Sequence, residues 1–275
     1  MNSVEIMATS AYSAPFDSVA DFYDDAFTNS FIGRAQRSVV WNQLDKTFTS
    51  GNRVLEIGCG TGVDACHLAD RGVAVTACDN SRRMIELTAR RVEQDQKQAL
   101  VDARLLAAEN LNELSGNHLF DGAFSNFGAL NCVRDPANLA SSLARLLRPG
   151  AIALLCWMGP FCLWEVIFYL VRRDPAKAFR RFRRDGVIAR LGDGPAVRIT
   201  YPSLRNLARA FAPHFRLTSV YGVGVFVPPT YCEQWSREFL RLLRLAEHWD
   251  SVAGKCPGIR MLADHILLSF ERRPV

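Results

Sequence analysis

Between residues 53 and 158, short apolar runs alternate with longer stretches in which apolar residues recur at helical spacing. The apolar runs predict strands at 53–57, 73–78, 103–107, 120–125 and 152–157. The stretches between them predict helices at 62–71, 81–98 and 136–147. Parallel strands joined by helices form right-handed crossover units. The alternation therefore predicts an α/β fold built on a parallel sheet.

This regular alternation stops after residue 158, and helical patterns then dominate up to two late strand patterns. A length of 275 residues suits one domain with insertions better than two domains. We therefore expect a single domain over residues 1–275. Its expected parts are N-terminal helices (16–48), a core (49–158), two helical insertions (160–213 and 222–262) and two last strands (214–221 and 264–271).

Three glycines occupy alternate positions after the first predicted strand, at Gly58, Gly60 and Gly62. Glycine lets the chain turn tightly and brings bare backbone against a ligand. The helix that begins near Gly62 directs free N–H groups toward the same place. Asp79 ends the neighbouring strand at the same sheet edge, where a carboxylate can accept both hydroxyls of a ribose. These residues predict a site for a ligand that contains ribose.

Two kinds of cofactor are compatible with this loop. A dinucleotide site has the pattern G-x-G-x-x-G with an acid about 20 positions later, whereas the pattern here is G-x-G-x-G and Asp79 follows Gly62 by 17 residues. Glu56, just before the glycines, would repel a pyrophosphate but would suit a cationic amino-acid end. S-adenosylmethionine has such an end and carries no phosphate. NAD stays possible, and Arg82 and Arg83 keep NADP possible because arginine can meet a 2′-phosphate.

An ordered set of segments resembles the motifs of class I S-adenosylmethionine-dependent methyltransferases of the small-molecule type. They are residues 54–62 (first motif), 79–84 (second motif), 120–128 (fourth strand), 146–150 (turn before the fifth strand) and the Tyr23–Asp24 pair. The resemblance covers about residues 16–158. It implies a Rossmann-like, seven-stranded and mostly parallel sheet whose last strand is antiparallel, with helical lid insertions. Residues 265–271 are the candidate for that last strand.

The resemblance also implies S-adenosylmethionine as cofactor, S-adenosylhomocysteine as product, and a set of cofactor-binding residues. These residues are Tyr23, Glu56, Gly58, Cys59, Gly60, Gly62, Asp79, Asn80, Met84, Ala108, Glu109, Asn110, Asn126 and Phe127. The family often places an aspartate after the third strand to contact the adenine amino group. This chain has no aspartate at residues 106–110, so we expect the backbone at Ala108 or the Glu109 side chain to replace it.

The segments after the fifth strand open onto the cofactor's side of the sheet and are expected to bind the methyl acceptor. The candidate acceptor-binding residues are Asn131, Trp157, Trp164, Tyr201 and Tyr231. Residues 160–190 carry eight basic and three acidic residues. The net charge of this segment is therefore +5, the same as that of the whole chain. Together with the apolar stretch 161–171, this segment has three possible interpretations: a lid, a membrane-surface patch, or a packed helix followed by solvated charges.

The eight cysteines include no pair with C-x-x-C spacing, so we predict free thiols and no metal site. Residues 151–171 are mostly apolar, but Gly159 and Pro160 divide them and Glu165 interrupts the second half. A strand, a turn and a helix therefore fit better than a membrane span. The chain lacks a signal-peptide pattern at its start, and we expect a cytoplasmic protein without stable membrane insertion.

These observations predict methyl transfer to N, O or C of a small, apolar or aromatic metabolite. None of the five histidines is assigned as a base, so the catalytic residue and the oligomeric state stay open. Nucleic acid is not expected as a partner, because the net charge is modest and no RNA-binding module is visible. The alternatives are a cofactor-binding enzyme with a non-methylating reaction, such as a cyclisation, and a non-catalytic partner subunit with the same fold.

Overall fold

The computed structural model describes residues 14–116 and 119–274, without the side chains of residues 235–237. The strands are β1 (Arg53–Ile57), β2 (Ala74–Asp79), β3 (Val101–Leu105), β4 (Phe120–Ser125), β5 (Leu147–Met158), β6 (Val187–Ala189), β7 (Val197–Ile199), β8 (Phe215–Val223) and β9 (His265–Arg272). Within the described residues, seven strands form one sheet in the order β3-β2-β1-β4-β5-β9-β8. Strands β6 and β7 pair separately as an antiparallel hairpin.

Helices connect and cover these strands. The α-helices are α1 (Ala20–Tyr23), α2 (Phe31–Thr47), α3 (Val63–Asp70), α4 (Arg82–Gln94), α5 (Pro136–Leu146), α6 (Leu163–Val171), α7 (Pro175–Ala178), α8 (Leu204–Phe211), α9 (Glu233–Glu238) and α10 (Leu240–Ala253). Shorter turns of helix are 3₁₀ helices at Asp17–Val19, Ala108–Glu113, Ala129–Cys132, Arg180–Phe182, Thr230–Cys232 and Ile259–Leu262, and a π-helix at Asp24–Thr28.

The order and direction of the strands confirm the predicted fold class. Strands β1 to β5 pair in parallel, and β9 pairs antiparallel with both β5 and β8. The candidate last strand at residues 265–271 is therefore the antiparallel strand, and it lies between β5 and β8. The third strand begins two residues earlier than predicted, at Val101. The hairpin of β6 and β7 was not predicted from the sequence.

Both faces of the central strands are buried, so most residues of β1 and β4 are buried, whereas the edge strand β3 is largely exposed. Leu55 and Ile57 pack into one core with side chains of α5 and α8. Val54 and Phe124 pack into a second core on the opposite face with side chains of α2, α3 and α4. Alternate residues of one strand thus serve two helical layers. The carboxyl ends of β1, β2 and β4 meet at one edge of the sheet, where the site described below lies.

The described part of the chain contains no helix that combines the length and the apolar run needed to cross a membrane. Its eight cysteines are free, and six of them are buried. Burial raises the pKa of several of these thiols, including Cys78 to about 12. The buried cysteines therefore act as small apolar packing residues.

Candidate functional site

The loop between β1 and α3 lies against the end of β2. The backbone N–H groups of Gly58 and Cys59 donate to the carbonyl oxygen of Cys78 at 2.7 and 2.9 Å. Gly58 has a φ of +71°, and a Cβ atom there would lie 2.3 Å from the Cβ of Ala129. A side chain at this position would therefore force the loop to move. At Gly60, by contrast, a Cβ would meet no described atom closer than 3.9 Å, so bare backbone faces an open space.

Asp79, the last residue of β2, holds this loop in place. Its Oδ2 accepts a hydrogen bond from the backbone N–H of Gly60, and its Oδ1 accepts one from Ser81, both at 2.9 Å. Burial raises the pKa of Asp79 to about 6, although the backbone hydrogen bonds oppose this shift. Each carboxylate oxygen retains a second acceptor position, because a carboxylate can accept about four hydrogen bonds. Asp79 can therefore also accept hydrogen bonds from the hydroxyl groups of a ligand.

A cavity of about 310 Å³ begins at this loop and continues beneath the hairpin of β6 and β7. We call the wall near the glycine loop the cofactor end and the opposite wall the acceptor end. The cofactor end is formed by Pro15, Phe16, Tyr23, Ile57, Gly58, Gly60, Asp79, Asn80, Met84, Leu106, Ala108, Glu109, Asn126 and Phe127. The acceptor end is formed by Gly128, Ala129, Cys132, Val133, Met158, Leu191, Val197 and Ile199.

Ten of the fourteen predicted cofactor-binding residues line this cavity. They are Tyr23, Gly58, Gly60, Asp79, Asn80, Met84, Ala108, Glu109, Asn126 and Phe127. The other four lie outside its wall. Glu56 lies in β1, and Cys59 and Gly62 belong to the loop itself. Gly62 leaves room for Thr88, since a Cβ there would lie 2.6 Å from the Thr88 Cγ2. Asn110 is exposed and donates to Glu113 at 2.8 Å, so the structure turns this side chain away from the cavity.

A buried charge network fixes Asn126 in the cavity wall. Asp64 accepts hydrogen bonds from Arg37 at 2.5 Å, from the Trp41 indole at 2.7 Å and from the Asn126 amide at 2.8 Å. Burial alone would raise the pKa of Asp64, but Arg37 and these hydrogen bonds lower it below its usual range. The carboxylate therefore stays ionised and orients Asn126. The sequence motif contains Asn126, but Arg37, Trp41 and Asp64 carry no motif that marks them.

Two acceptor atoms beside the glycine loop have no hydrogen-bond donor among the described residues. They are Oε2 of Glu56 and Oδ1 of Asn126, and both atoms are fully buried. Burial, with Asp64 nearby, raises the pKa of Glu56 well above its usual range. Buried acceptors are normally paired. Asn126 lies in the cavity wall, so a ligand group that donates hydrogen bonds fits beside it, whereas Glu56 lies behind the wall. The cationic amino-acid end of S-adenosylmethionine is such a group, and Asp79 suits its ribose.

The N-terminal segment supplies part of the cavity wall. Asp24 accepts hydrogen bonds from the Thr61 hydroxyl at 2.7 Å and from Arg91 at 2.5 Å, which ties the π-helix to the glycine loop. Asp17 accepts a hydrogen bond from the Ser81 hydroxyl at 2.5 Å. These contacts place Pro15, Phe16 and Tyr23 over the cofactor end. Pro15 and Phe16 were not predicted, since no pattern in the sequence distinguishes them from other N-terminal residues.

The hairpin of β6 and β7 forms the outer wall of the acceptor end. Val197 and Ile199 face the cavity, whereas Ile188, on the opposite face of the hairpin, is 57% exposed. Asn131 anchors the hairpin, because its amide donates to the carbonyl oxygens of Met158 and Thr200 at 3.0 and 2.6 Å. The Asn131 Oδ1 accepts from the Met158 N–H at 2.8 Å. Asn131 is fully buried and its side chain is used in these bonds, so it positions the wall instead of contacting an acceptor.

The four aromatic residues expected to bind the acceptor lie elsewhere. Trp157 is 1% exposed and packs against Phe211, because its side chain points to the face of the sheet that α8 covers. The Trp164 indole donates to the carbonyl oxygen of Val225. Tyr201 packs under the guanidinium of Arg181, and Tyr231 packs against the ring of Phe168. The described cavity wall includes none of these four aromatic side chains, so their contact with an acceptor stays a prediction.

The two inserted segments also differ in what they contribute. Of residues 160–213, the described cavity wall includes only side chains from the hairpin region, at Leu191, Val197 and Ile199. It includes none from α6 or α7, and none from residues 222–262. Within the inserted segments, the hairpin region is therefore the described part that lines the cavity, and the lid role of the segments stays a prediction.

Comparison with known proteins agrees with this geometry. A family model described as a methyltransferase domain matches residues 54–150, which span β1 to the beginning of β5. A demethylmenaquinone methyltransferase of Clavibacter sepedonicus is 31% identical over 145 residues, which cover 52% of this chain and 56% of that protein. Residues 54–150 of this chain are therefore similar to the methyltransferase domain, in agreement with the motifs of the sequence. The cofactor of this family is S-adenosylmethionine, and Asp79 and the unpaired acceptor of Asn126 fit it.

A solved structure shows the same fold at low sequence identity. The crystal structure of SpnF, a cyclase, superposes with a TM-score of 0.62 at 17% identity and covers 97% of this chain and 98% of that chain. At this identity the similarity concerns the fold alone. Matches to the curated relatives are shorter, since the chain spans 56 to 62% of the length of the first two.

The relatives of this methyltransferase domain have different acceptors. A tRNA 5-carboxymethoxyuridine methyltransferase of Escherichia coli strain K12 is 28% identical over 148 residues, which cover 51% of this chain and 54% of that protein. Its presence beside the demethylmenaquinone methyltransferases means that family membership does not exclude a nucleic-acid partner. The expected exclusion of nucleic acid therefore has no support from the relatives.

Proposed function

We propose that this protein transfers a methyl group from S-adenosylmethionine to N, O or C of a small, apolar acceptor. The observation that carries the proposal is the single cavity that joins the cofactor end to an apolar acceptor end. The acceptor end combines Met158, Val133 and the three hairpin side chains, and the cavity is small enough for a compact metabolite.

The cofactor end would bind through its own polar groups. We infer that Asp79 accepts hydrogen bonds from the ribose hydroxyls and that Asn126 accepts one from the cationic amino-acid end, with the Glu56 carboxyl behind the wall. Met84 and Phe127 would pack against the ligand as apolar walls. Phe127 has a φ of +50°, which is uncommon for a bulky residue. Such strained backbone angles cluster at functional sites. When bound, the cofactor supplies a sulfonium methyl group, which is electrophilic.

The protein's contribution to the reaction is alignment and exclusion of water. The titratable side chains in the described wall are Tyr23, Asp79, Glu109 and Cys132. Burial raises the pKa of Tyr23 to about 12 and that of Cys132 to about 11, so both stay protonated near neutral pH and cannot act as bases. Asp79 and Glu109 lie at the cofactor end. We therefore expect an acceptor whose reacting atom is already nucleophilic, without a base from the protein.

The test is a methyl-transfer assay with S-adenosylmethionine that carries a tritium-labelled methyl group. The panel contains small aromatic and apolar acceptors and, as a separate arm, total tRNA. We expect label in a small apolar product and one S-adenosylhomocysteine for each methylated molecule. Consumption of an acceptor without S-adenosylhomocysteine would indicate a non-methylating reaction such as a cyclisation. Label in tRNA alone would contradict the proposed acceptor class, and failure to bind S-adenosylhomocysteine would favour a non-catalytic subunit.

A further inference from the structure

Helix α6 has an apolar face that the fold does not cover. Eight of its nine residues are apolar or aromatic. Phe168 is buried on the inner side, whereas Ile167, Leu170 and Val171 are 43%, 46% and 72% exposed. These three residues lie at i, i+3 and i+4, so they share one face of the helix. A surface helix normally presents polar residues to water, and this face is therefore unusual.

The next helical turns add two exposed aromatic side chains. Phe179 and Phe182 are 46% and 56% exposed, and their rings stack with centroids 6.2 Å apart. The Tyr169 ring joins the two helices, because Lys177 Nζ and the Arg180 guanidinium lie 5.7 and 5.6 Å from its centre. The exposed apolar side chains thus belong to one compact unit of α6, α7 and the 3₁₀ turn at Arg180–Phe182.

The same stretch of the chain carries five exposed basic side chains. They are Arg172, Arg173, Lys177, Arg183 and Arg184. Two acidic residues, Asp174 and Asp185, lie in the same stretch, and Asp174 pairs with Lys177 at 3.0 Å, so an excess of positive charge remains. We define the basic–apolar surface as these five basic residues together with Ile167, Leu170, Val171, Phe179 and Phe182.

The inner side of the same unit is fixed by buried ion pairs. Glu165, 1% exposed, accepts hydrogen bonds from Arg180 and Arg181, and Arg181 also donates to Asp264 at 2.6 Å. Phe168 and Ala178 are buried beside these groups. The fold therefore uses the inner side for packing and holds the basic–apolar surface outward, away from the cavity wall.

We propose that the basic–apolar surface docks the protein on the surface of an anionic lipid bilayer. Aliphatic side chains such as Val171 can enter the boundary between headgroups and acyl chains, while arginine guanidinium groups stay at the level of the phosphates. Charge complementarity favours an anionic partner. The aromatic rings and guanidinium groups of this surface could also stack on bases, but the aliphatic Ile167, Leu170 and Val171 favour lipid, because base stacking does not use aliphatic side chains. This docking is independent of the proposed methyl transfer.

The test is cosedimentation of the full chain with phosphatidylcholine vesicles, prepared with and without phosphatidylglycerol. We expect binding to the anionic vesicles alone, with a loss on addition of salt. Arg183→Gln/Arg184→Gln should lower the partition coefficient about tenfold, and Val171→Gln should lower it about fivefold. Two matched controls should leave the partition coefficient unchanged. Arg205→Gln/Arg209→Gln on α8 removes the same charge. Leu242→Gln on α10 removes an apolar side chain that is 61% exposed, against 72% for Val171.

Several outcomes would overturn the proposal. Equal binding to neutral and anionic vesicles would remove the role of charge, and equal losses in test and control variants would make the binding non-specific. Tighter binding to total tRNA, weakened by Arg183→Gln/Arg184→Gln but not by Val171→Gln, would assign the surface to nucleic acid. The affinity for S-adenosylhomocysteine is measured for every variant and should equal that of the wild type. This measurement is the control that each variant is folded. A failure of vesicle docking therefore leaves the proposed methyl transfer unaffected.

Discussion

The two ends of the cavity are built in different ways. The cofactor end is polar and forms at the carboxyl ends of β1, β2 and β4, where backbone hydrogen bonds from Gly60 and Ser81 fix Asp79. The acceptor end is apolar and forms from the hairpin, the end of β5 and the turn that begins at Gly128. The first belongs to the sheet, and the second is held to the sheet by side chains such as Asn131.

The cofactor end is built from the backbone of a common sequence motif, whereas the acceptor end depends on the side chains of a short hairpin. A sheet edge with a glycine loop presents the same backbone groups in every chain that keeps the motif. A short hairpin can change its side chains without disturbing the sheet. We therefore expect variants of the cofactor end to affect cofactor binding, and variants of the hairpin to affect acceptor binding alone.

The largest effect is expected for Gly58→Ala. The new side chain would occupy a φ of +71° and place its Cβ 2.3 Å from that of Ala129, so the loop must move. Displacement of the loop should weaken S-adenosylhomocysteine binding by at least about 100-fold. Isothermal titration calorimetry measures this change.

The matched control is Gly51→Ala. Gly51 has a similar φ of +86°, but no described atom lies within 4 Å of a Cβ built there. This variant carries the backbone strain without the clash and should bind S-adenosylhomocysteine as the wild type does. If Gly58→Ala also binds normally, the glycine loop does not contact the ligand in the way we describe.

A smaller effect is expected for Asp79→Ala. Loss of the carboxylate removes hydrogen bonds worth about 1.5–3 kcal/mol, which corresponds to a 10- to 100-fold weaker S-adenosylhomocysteine binding. Because the pKa of Asp79 is raised to about 6, the wild-type carboxylate becomes protonated as the pH falls through this value. Binding should therefore weaken about tenfold between pH 7.5 and pH 5.

Asp79→Asn is the control for this pH effect, because the amide does not titrate. Its binding should be weaker than that of the wild type at neutral pH and should change little between the same two pH values. An equal pH dependence in Asp79→Asn and in the wild type would assign the titration to a different group.

The smallest effect is expected for Ile199→Ala, at the acceptor end. Removal of apolar contact should raise the KM for an apolar acceptor about fivefold, and the Kd for S-adenosylhomocysteine should stay the same. Ile188→Ala is the matched control, since Ile188 lies on the outer face of the same hairpin. A large change in cofactor binding by Ile199→Ala would contradict the separation of the two ends.

Much of the cofactor end could be predicted from the sequence because its residues act through local rules. Gly58 needs a positive φ, and Asp79 ends a strand directly beside the loop. The parallel direction of the first five strands also follows from the alternation of patterns, although the predicted β3 begins two residues late because Leu106 and Ala107 continue its apolar run.

The acceptor end could not be predicted in the same way. Strands β6 and β7 have three residues each, too few to show an alternating pattern. Trp157 was expected to face an acceptor, but side chains alternate along β5, so Trp157 enters the core and Met158 reaches the cavity. Side-chain direction at a strand end depends on register and on tertiary packing, which a single sequence does not reveal.

The most direct test of the central claim is a calorimetric titration of the wild-type protein with S-adenosylhomocysteine, with NADH as the control ligand. The claim is that the glycine loop, Asp79 and the unpaired acceptor of Asn126 form an S-adenosylmethionine site. We predict a dissociation constant in the micromolar range for S-adenosylhomocysteine and no measurable heat from NADH. Binding of NADH alone, or of neither ligand, would contradict the claim.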